Sequence, residues 1–141
     1  MLEDEWVWPP THEEATNYAG FVYIITNTMT DKYYIGQKKF WSERTLTPLK
    51  GKKRARHKII ESDWRDYWGS SKELLDDIKK YSKENFTRMI IHLCKFKAEM
   101  NYLETKEQFT RDVLFDPLSY NKMINCRIGG NQLKNLNIPS E

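Results

Sequence analysis

The sequence predicts a small α+β domain: a three-stranded antiparallel sheet flanked by helices. Two apolar segments joined by a polar turn lie within residues 21–36, and a third apolar segment spans residues 89–94. Two segments with helical spacing of apolar residues follow the second and third of these. The order strand, strand, basic connection, helix, strand, helix is typical of helices packed on a small sheet. A chain of 141 residues suits one domain, and no internal repeat is visible.

The strand predictions rest on alternation. Residues 21–25 are apolar at every position, which predicts a central strand buried on both faces. Residues 27–31 supply a turn, and residues 32–36 return antiparallel with Tyr34 and Gly36 on one face. The third strand is again apolar on both faces.

The helix predictions rest on a start signal and on periodicity. Ser70 and Glu73 have the spacing of a capping box, and apolar residues then recur at helical spacing, so a helix is predicted over 71–82. The last helix is predicted over 98–114, with Tyr102 and Phe109 on one stripe.

The connection between the second strand and the first helix is harder to assign. Residues 38–44 are compatible with the beginning of a helix. Residues 45–57 contain Pro48 and Gly51 and are interpreted as a loop. A basic insertion is expected at about 45–68.

Residues 1–19 are interpreted as an acidic arm preceding a domain at 20–141. The first 20 residues hold five acids and no Lys or Arg, together with Trp6 and Trp8. Such an arm would fray, shield a basic groove or pack against the domain. Packing is favoured because exposing two tryptophans is costly.

The rest of the chain is basic, with 23 Lys or Arg side chains against 15 acids. Nine of the basic residues fall within 38–58: Lys38, Lys39, Arg44, Lys50, Lys52, Lys53, Arg54, Arg56 and Lys58. Phosphate contacts from such a cluster give salt-dependent affinity for nucleic acid. A solvated basic loop is the alternative.

Several function classes lack support. No apolar run is long enough to span a bilayer and no signal peptide is visible, so no membrane partner and a cytoplasmic location are expected. Cys94 and Cys126 are expected to be free thiols, with Cys94 in the core. No Ser-His-Asp set, phosphate loop or Cys and His metal spacing is present, so no small-molecule cofactor is expected.

Two tyrosine triplets carry a family resemblance. Val22-Tyr23 and Tyr34-Ile35-Gly36 resemble the paired signature of the GIY-YIG nuclease family. The second triplet is complete, whereas Phe21 stands where the family has glycine. The resemblance covers about residues 20–130 and looks closest to phage-encoded members related to free-standing homing endonucleases.

The resemblance implies a divalent-metal-dependent endonuclease that hydrolyses DNA, with Mg²⁺ or Mn²⁺ as cofactor. Arg44, eight residues after Gly36, resembles the catalytic arginine and would lie on the first helix. Glu104 resembles the metal-binding glutamate, with Glu107 as the competitor one turn later. Asn121 resembles an asparagine near the end of the family domain and is expected to contact the substrate.

In the hydrolysis of a phosphodiester, tyrosine, arginine and glycine residues at these positions would have the following roles. Of Tyr23 and Tyr34, one would accept a proton from water and the other would orient the phosphate. The Arg44 guanidinium would stabilise growing charge, and Gly36 would let the backbone approach a helix or the phosphate.

One departure from the family leaves a role open. Many members have lysine directly after the second triplet, where this chain has Gln37, so Lys38 or Lys39 would take that role. The expected substrate contacts also include His57, Lys52, Lys53, Arg54 and Arg56. Trp64, Tyr67 and Trp68 would contact substrate or add core.

Two rivals remain open at this point. One is a nucleic-acid-binding module that kept the fold and does not cleave. The other is a regulatory protein whose acidic arm occupies its own basic groove. Monomer and homodimer are both compatible with the sequence, and a phage-encoded protein would act in the host cytoplasm.

Overall fold

The computed structural model describes residues 5–10 and 14–133. The strands are β1 (Gly20–Asn27), β2 (Tyr33–Lys39), β3 (Trp41–Leu46), β4 (Arg56–Glu61) and β5 (Phe86–Cys94). The helices are α1 (Lys72–Tyr81) and α2 (Lys97–Thr110), and short 3₁₀ turns connect several elements. Within this part of the chain, no helix combines the length and apolar character needed to cross a membrane.

The central sheet has three antiparallel strands in the order β2-β1-β5, which confirms the predicted α+β architecture. β1 lies in the middle because its residues are buried on both faces, as its apolar run predicts. β2 is therefore an edge strand, and residues 118–121 bond to its outer side at Tyr33 and Ile35.

Each face of the sheet carries its own core. The α1 face holds a large aromatic cluster that includes Phe21, Tyr23 and Phe40. The α2 face holds a smaller cluster in which Val22 and Met100 are buried. Because α1 and α2 cover opposite faces, a residue on α2 reaches the tyrosines only at the edge of the sheet.

The described part of the N-terminal arm packs against the domain, which is the favoured interpretation. Trp6 is buried and its Nε1 donates to the Trp64 carbonyl at 2.9 Å. Val7 extends the sheet beside β5 through bonds to Arg88 and Ile90, each 2.8 Å long. The acids Glu3, Asp4 and Glu13 lie outside the described residues, and the division at residue 19 stays a prediction.

Both helices form where periodicity predicts them, but their ends differ. The N-cap of α1 is Ser71, which accepts from the Leu74 amide at 3.3 Å. The predicted capping box of Ser70 and Glu73 is wrong, because the Glu73 carboxylate pairs with Lys32 at 2.7 Å instead.

The last helix ends at Thr110, four residues earlier than predicted. The cause is a chain reversal: Asp112 has a φ of 49° and the Val113 amide donates to the Gln108 carbonyl. Val113 is thereby turned back into the smaller core.

The predicted helix start at 38–44 is wrong, and so is the loop interpretation at both ends of 45–57. β2 continues to Lys39, and β3 and β4 form a separate two-stranded sheet. The physical cause is Phe40, which is fully buried against Phe21 and Trp64 and fixes an extended chain between β2 and β3. Only residues 47–55 form the connecting loop.

Candidate active site

Tyr23 and Tyr34 lie on the same face of adjacent strands. The register pairs Tyr23 with Gly36 and Ile25 with Tyr34, so the two phenols are diagonal neighbours rather than directly opposite. Their ring centroids are 6.2 Å apart. Tyr23 is buried, whereas Tyr34 is half-buried and reaches the surface.

Two glycines leave room for these rings. A Cβ at Gly36 would lie 2.6 Å from Cζ of Tyr23 and 3.0 Å from Cε2 of Tyr34. Gly69 has a φ of +89° and a Cβ there would lie 3.5 Å from the Tyr23 hydroxyl. The close approach explains Gly36 in physical terms: the site needs a strand residue without a side chain.

A third phenol, that of Tyr67, lies beside the two strand tyrosines. Its ring meets that of Tyr23 edge-on at 6.1 Å, and the two side chains are hydrogen-bonded. Lys38 lies over the Tyr67 ring, with Nζ 4.2 Å from the ring centroid, and its Nζ pairs with Asp63 at 2.6 Å.

Glu104 comes from α2 to the open edge of β2. Its Oε1 accepts from Nε2 of Gln37 at 3.2 Å, and Oε1 of Gln37 in turn accepts from Nζ of Lys97 at 2.6 Å. Burial raises the pKa of Glu104, although Gln37 and Lys97 partly offset this effect. Gln37 therefore orients the carboxylate from the position where many GIY-YIG members have lysine.

The negative charge of Glu104 contributes to the raised pKa of both strand tyrosines. Burial is the largest cause that raises the pKa of Tyr23 well above its usual range, and the neighbouring Tyr67, Tyr34 and Glu104 add to it. Burial likewise raises the pKa of Tyr34, against a lowering hydrogen bond from Ser70. Both phenols are therefore protonated at neutral pH, and the half-exposed Tyr34 can donate a hydrogen bond to an anion.

An open cavity of about 490 Å³ lies beside this edge. Its wall includes Tyr34, Glu104, Gln108, Asn121 and the start of α1. Lys72 and Lys122 also line it. The cavity thus combines two phenols (Tyr34 and Tyr120), two carboxylates (Glu73 and the partly buried Glu104) and two lysines.

Asn121 lies in the wall and holds the edge strand. Its Oδ1 accepts from the Ile35 amide and its Nδ2 donates to the Ile35 carbonyl, both at 2.9 Å. The amide is almost fully buried. These bonds attach the segment after α2 to β2 and place Lys122 at the cavity.

The structure separates Arg44 from the tyrosines and Glu104. The expected helical position is wrong: Arg44 lies on β3, pairs in register with Lys58 and is exposed. The residues that line the cavity do not include it. A spacing of eight residues after Gly36 leads onto a strand here because β3 follows β2 at once.

The two lysines left open by the sequence differ in position. Lys38 shares the β2 face of Tyr34 and Gly36 and contacts Tyr67. Lys39 lies on the opposite face and is exposed. Lys38 is thus the lysine on the tyrosine side of the strand.

The other basic candidates are distributed over the second sheet and its loop. Lys52, Lys53 and Arg54 lie in the loop, and Arg56 and His57 lie on β4; all five are exposed. Nδ1 of His57 is 2.9 Å from Oε1 of Glu43, which lies on β3. None of them lines the cavity.

The sequence left Tyr67 open between substrate contact and core, and it indicated no site role for Gly69 or Ser70. The signal was the stretch Tyr67-Trp68-Gly69-Ser70-Ser71, an aromatic pair and a glycine immediately before a helix cap. Trp64 and Trp68 are core, whereas Tyr67 and Ser70 contact the two strand tyrosines.

The donor set suits a hard cation held mostly by water and substrate. In the described part of the chain, no three His, Cys, Asp or Glu side chains are grouped to hold a metal. Glu104 is a single carboxylate whose charge is disfavoured by burial, and a divalent cation would offset that cost. Glu73 also reaches the cavity, but Lys32 and Lys122 pair with it.

The sheet, its paired tyrosines and the α2 glutamate at the edge strand define a domain of the GIY-YIG class. The family model described as "Putative endonuclease segE, GIY-YIG domain" matches residues 6–125. The chain belongs to this family, which implies nuclease-type activity. Searches of curated proteins and of solved structures gave no match.

Proposed function

We propose that this chain is a divalent-metal-dependent endonuclease that hydrolyses DNA phosphodiester bonds in the cavity beside β2. The observation that carries the proposal is that Tyr34 and Glu104, which are distant in sequence, line one cavity beside β2, with the buried Tyr23 ring packed behind Tyr34. DNA is the proposed partner, and the cytoplasm is the proposed compartment.

The scissile phosphate would lie against Tyr34 in the cavity. Its phenol is protonated and half-exposed, so it can donate a hydrogen bond to a non-bridging oxygen. Tyr23 is too deeply buried to meet the phosphate directly, and it holds Tyr34 and Tyr67 in place. Tyr23 is thus a positioning residue.

Lys72 and Lys122 supply positive charge at the cavity rim, where negative charge develops during hydrolysis. Arg44 was expected to have this role, and its position on β3 favours contact with the DNA elsewhere.

Glu104 would hold Mg²⁺ or Mn²⁺, with Gln37 fixing the carboxylate rotamer. When bound, such an ion polarises the phosphate and supplies an acidified water. Because Tyr34 is protonated and donates to the phosphate, the proton of the attacking water would pass to bulk water at the open side of the cavity.

A plasmid assay tests the proposal. Wild-type protein is expected to nick or cut supercoiled plasmid with Mg²⁺, and Glu104→Ala is expected to lose cleavage while still binding DNA. Glu107→Ala is the matched control, since Glu107 is one turn away and pairs with His92 and Arg111. Undiminished cutting by Glu104→Ala, or by wild type in excess chelator, would contradict the mechanism.

The rival is a non-cleaving nucleic-acid-binding module. It is favoured by one observation, the absence of an arginine among the cavity residues. It predicts salt-sensitive binding and no metal-dependent products in the same assay.

A further inference from the structure

β3, β4 and the loop 47–55 form a projecting β-ribbon, called the ribbon below. Its two strands pair only with each other in the described structure. Its base is fixed to the domain: Nε1 of Trp41 donates to the Tyr18 carbonyl at 3.1 Å and the Ser62 amide donates to the Phe40 carbonyl at 2.8 Å. Beyond this base, most of its residues are exposed.

The two faces of the ribbon have different charge. Residues that pair across an antiparallel ladder share a face. Arg44 pairs with Lys58, and Leu46 with Arg56, so this face carries three cations and no acid. The opposite face carries Glu43 next to His57, together with Ile59.

Two of the three cations on the first face, Arg44 and Lys58, are free to meet a partner in the described structure. Within the described residues, neither Arg44 nor Lys58 has an ion pair with an acid, although Glu43 is adjacent in sequence. The guanidinium of Arg56 donates to the Thr47 carbonyl and so stiffens the loop end. Lys50, Lys52, Lys53 and Arg54 extend the positive charge across the loop.

The width of the ribbon is compatible with the major groove of duplex DNA and not with the minor groove. A two-stranded ribbon with side chains fits the major groove, which is about 12 Å wide, but not the minor groove, which is about 6 Å wide. Six residues per strand extend roughly 20 Å, enough to follow the groove past several base pairs. A guanidinium on the inward face can bond guanine O6 and N7 together.

We propose that the ribbon enters the major groove of double-stranded DNA with Arg44 and Lys58 facing the base edges, while the loop cations contact the flanking phosphates. The ribbon then reads sequence, and the cavity beside β2 cleaves at a distance from it. The inference rests on the proposed function only in taking DNA as the partner.

Binding to base-modified duplexes tests this inference. The probes are an oligonucleotide duplex, its single strands, a duplex with 7-deazaguanine, which lacks the major-groove N7, and one with 3-deazaadenine, which lacks a minor-groove acceptor. Anisotropy titrations in chelator measure affinity without cleavage. We expect the plain duplex to bind best and 7-deazaguanine to weaken wild-type binding about tenfold, because a guanidinium that bonds both O6 and N7 would keep only O6.

The variant Arg44→Gln/Lys58→Gln is expected to bind more weakly and to lose its response to 7-deazaguanine. Lys79→Gln/Lys80→Gln, on the exposed side of α1, removes the same charge and is expected to keep that response. Thermal unfolding checks that both variants fold. A wild-type response to 3-deazaadenine but not to 7-deazaguanine, or equal affinity for single strands, would overturn the inference.

The outcome is separable from that of the plasmid assay. A 7-deazaguanine effect without plasmid cleavage would reject the proposed hydrolysis and keep the ribbon assignment. Metal-dependent cleavage without a 7-deazaguanine effect would keep the proposed hydrolysis and reject the ribbon assignment.

Discussion

Gly36 faces Tyr23 directly across β1 and β2, and the Tyr23 phenol occupies the space in which a side chain at residue 36 would begin. The tyrosine of the first triplet and the glycine of the second are therefore one packing unit. Tyr34 borders the same space, with Cε2 3.0 Å from the position of a Cβ on Gly36. The pairing of the two tyrosine triplets thus follows from close packing of the Tyr23 ring on Gly36, which has no side chain.

Gly36→Ala is expected to destabilise the protein by about 1–3 kcal/mol, since one extra methyl in a packed core forces neighbouring side chains from their rotamers. Urea unfolding monitored by tryptophan fluorescence measures the change. Gly130→Ala is the control, because nothing lies within 4 Å of a Cβ there. In Gly36→Ala/Tyr23→Phe, the loss is expected to be less than additive. Strict additivity would show that the two positions do not share this space.

Glu104→Gln is expected to abolish metal-dependent cleavage and to raise Tm at neutral pH. Burial raises the folded-state pKa of Glu104, so the folded state binds its proton more tightly than the unfolded state does. This group then opposes folding at pH values above its folded-state pKa. Plasmid cleavage with Mg²⁺ checks the first part, and differential scanning calorimetry checks the second. A lower Tm for the variant would mean that the Gln37 hydrogen bond outweighs the cost of burial.

The pH profile of cleavage is expected to have its acidic limit above the ordinary glutamate value of about 4.3. The carboxylate form of Glu104 is the one that binds the cation, and it is lost as pH falls through the raised pKa. The pH dependence of kcat/KM reports the pKa values of the essential groups in the free enzyme. A profile that stays flat down to the ordinary value would remove Glu104 as the titrating group.

The sequence predicts the central sheet well because β1 is apolar on both faces and its partners are separated by a clear turn. It does not predict the ribbon. β3 and β4 are mostly polar and exposed beyond Trp41, and their few other apolar residues do not alternate with polar ones along either strand. Without burial there is no period-two signal to read.

Family resemblance rather than periodicity supplies Tyr23, Tyr34 and Glu104 as candidates, and their roles stay predictions. The spacing of Arg44 from Gly36 predicts a helical position, but this chain has a strand there. The sequence does not predict the contact of Tyr67 with Tyr23, because it depends on how the connection folds back over the sheet. No local pattern encodes that contact.

The two cysteines are expected to react at very different rates. Cys94 is buried and burial raises its pKa to about 12, whereas Cys126 is exposed. Because the thiolate is the nucleophile, a disulfide reagent is expected to label one thiol per native chain and two in denaturant. Cys126→Ser is expected to remove the fast reaction, and rapid labelling that persists in this variant would show that Cys94 is accessible.

Asn121 is expected to act through the fold rather than through contact with DNA. Asn121→Ala leaves the Ile35 amide without its acceptor at a buried position, which costs about 1–3 kcal/mol. It also releases Lys122 from the cavity, so cleavage is expected to fall along with stability. Asn125→Ala, an exposed residue of the same cavity, is the matched control and is expected to change neither by much. Urea unfolding and plasmid cleavage measured on both variants separate the roles. If Asn121→Ala unfolds at the wild-type urea concentration but no longer binds duplex, the amide contacts the substrate, as the family resemblance implied.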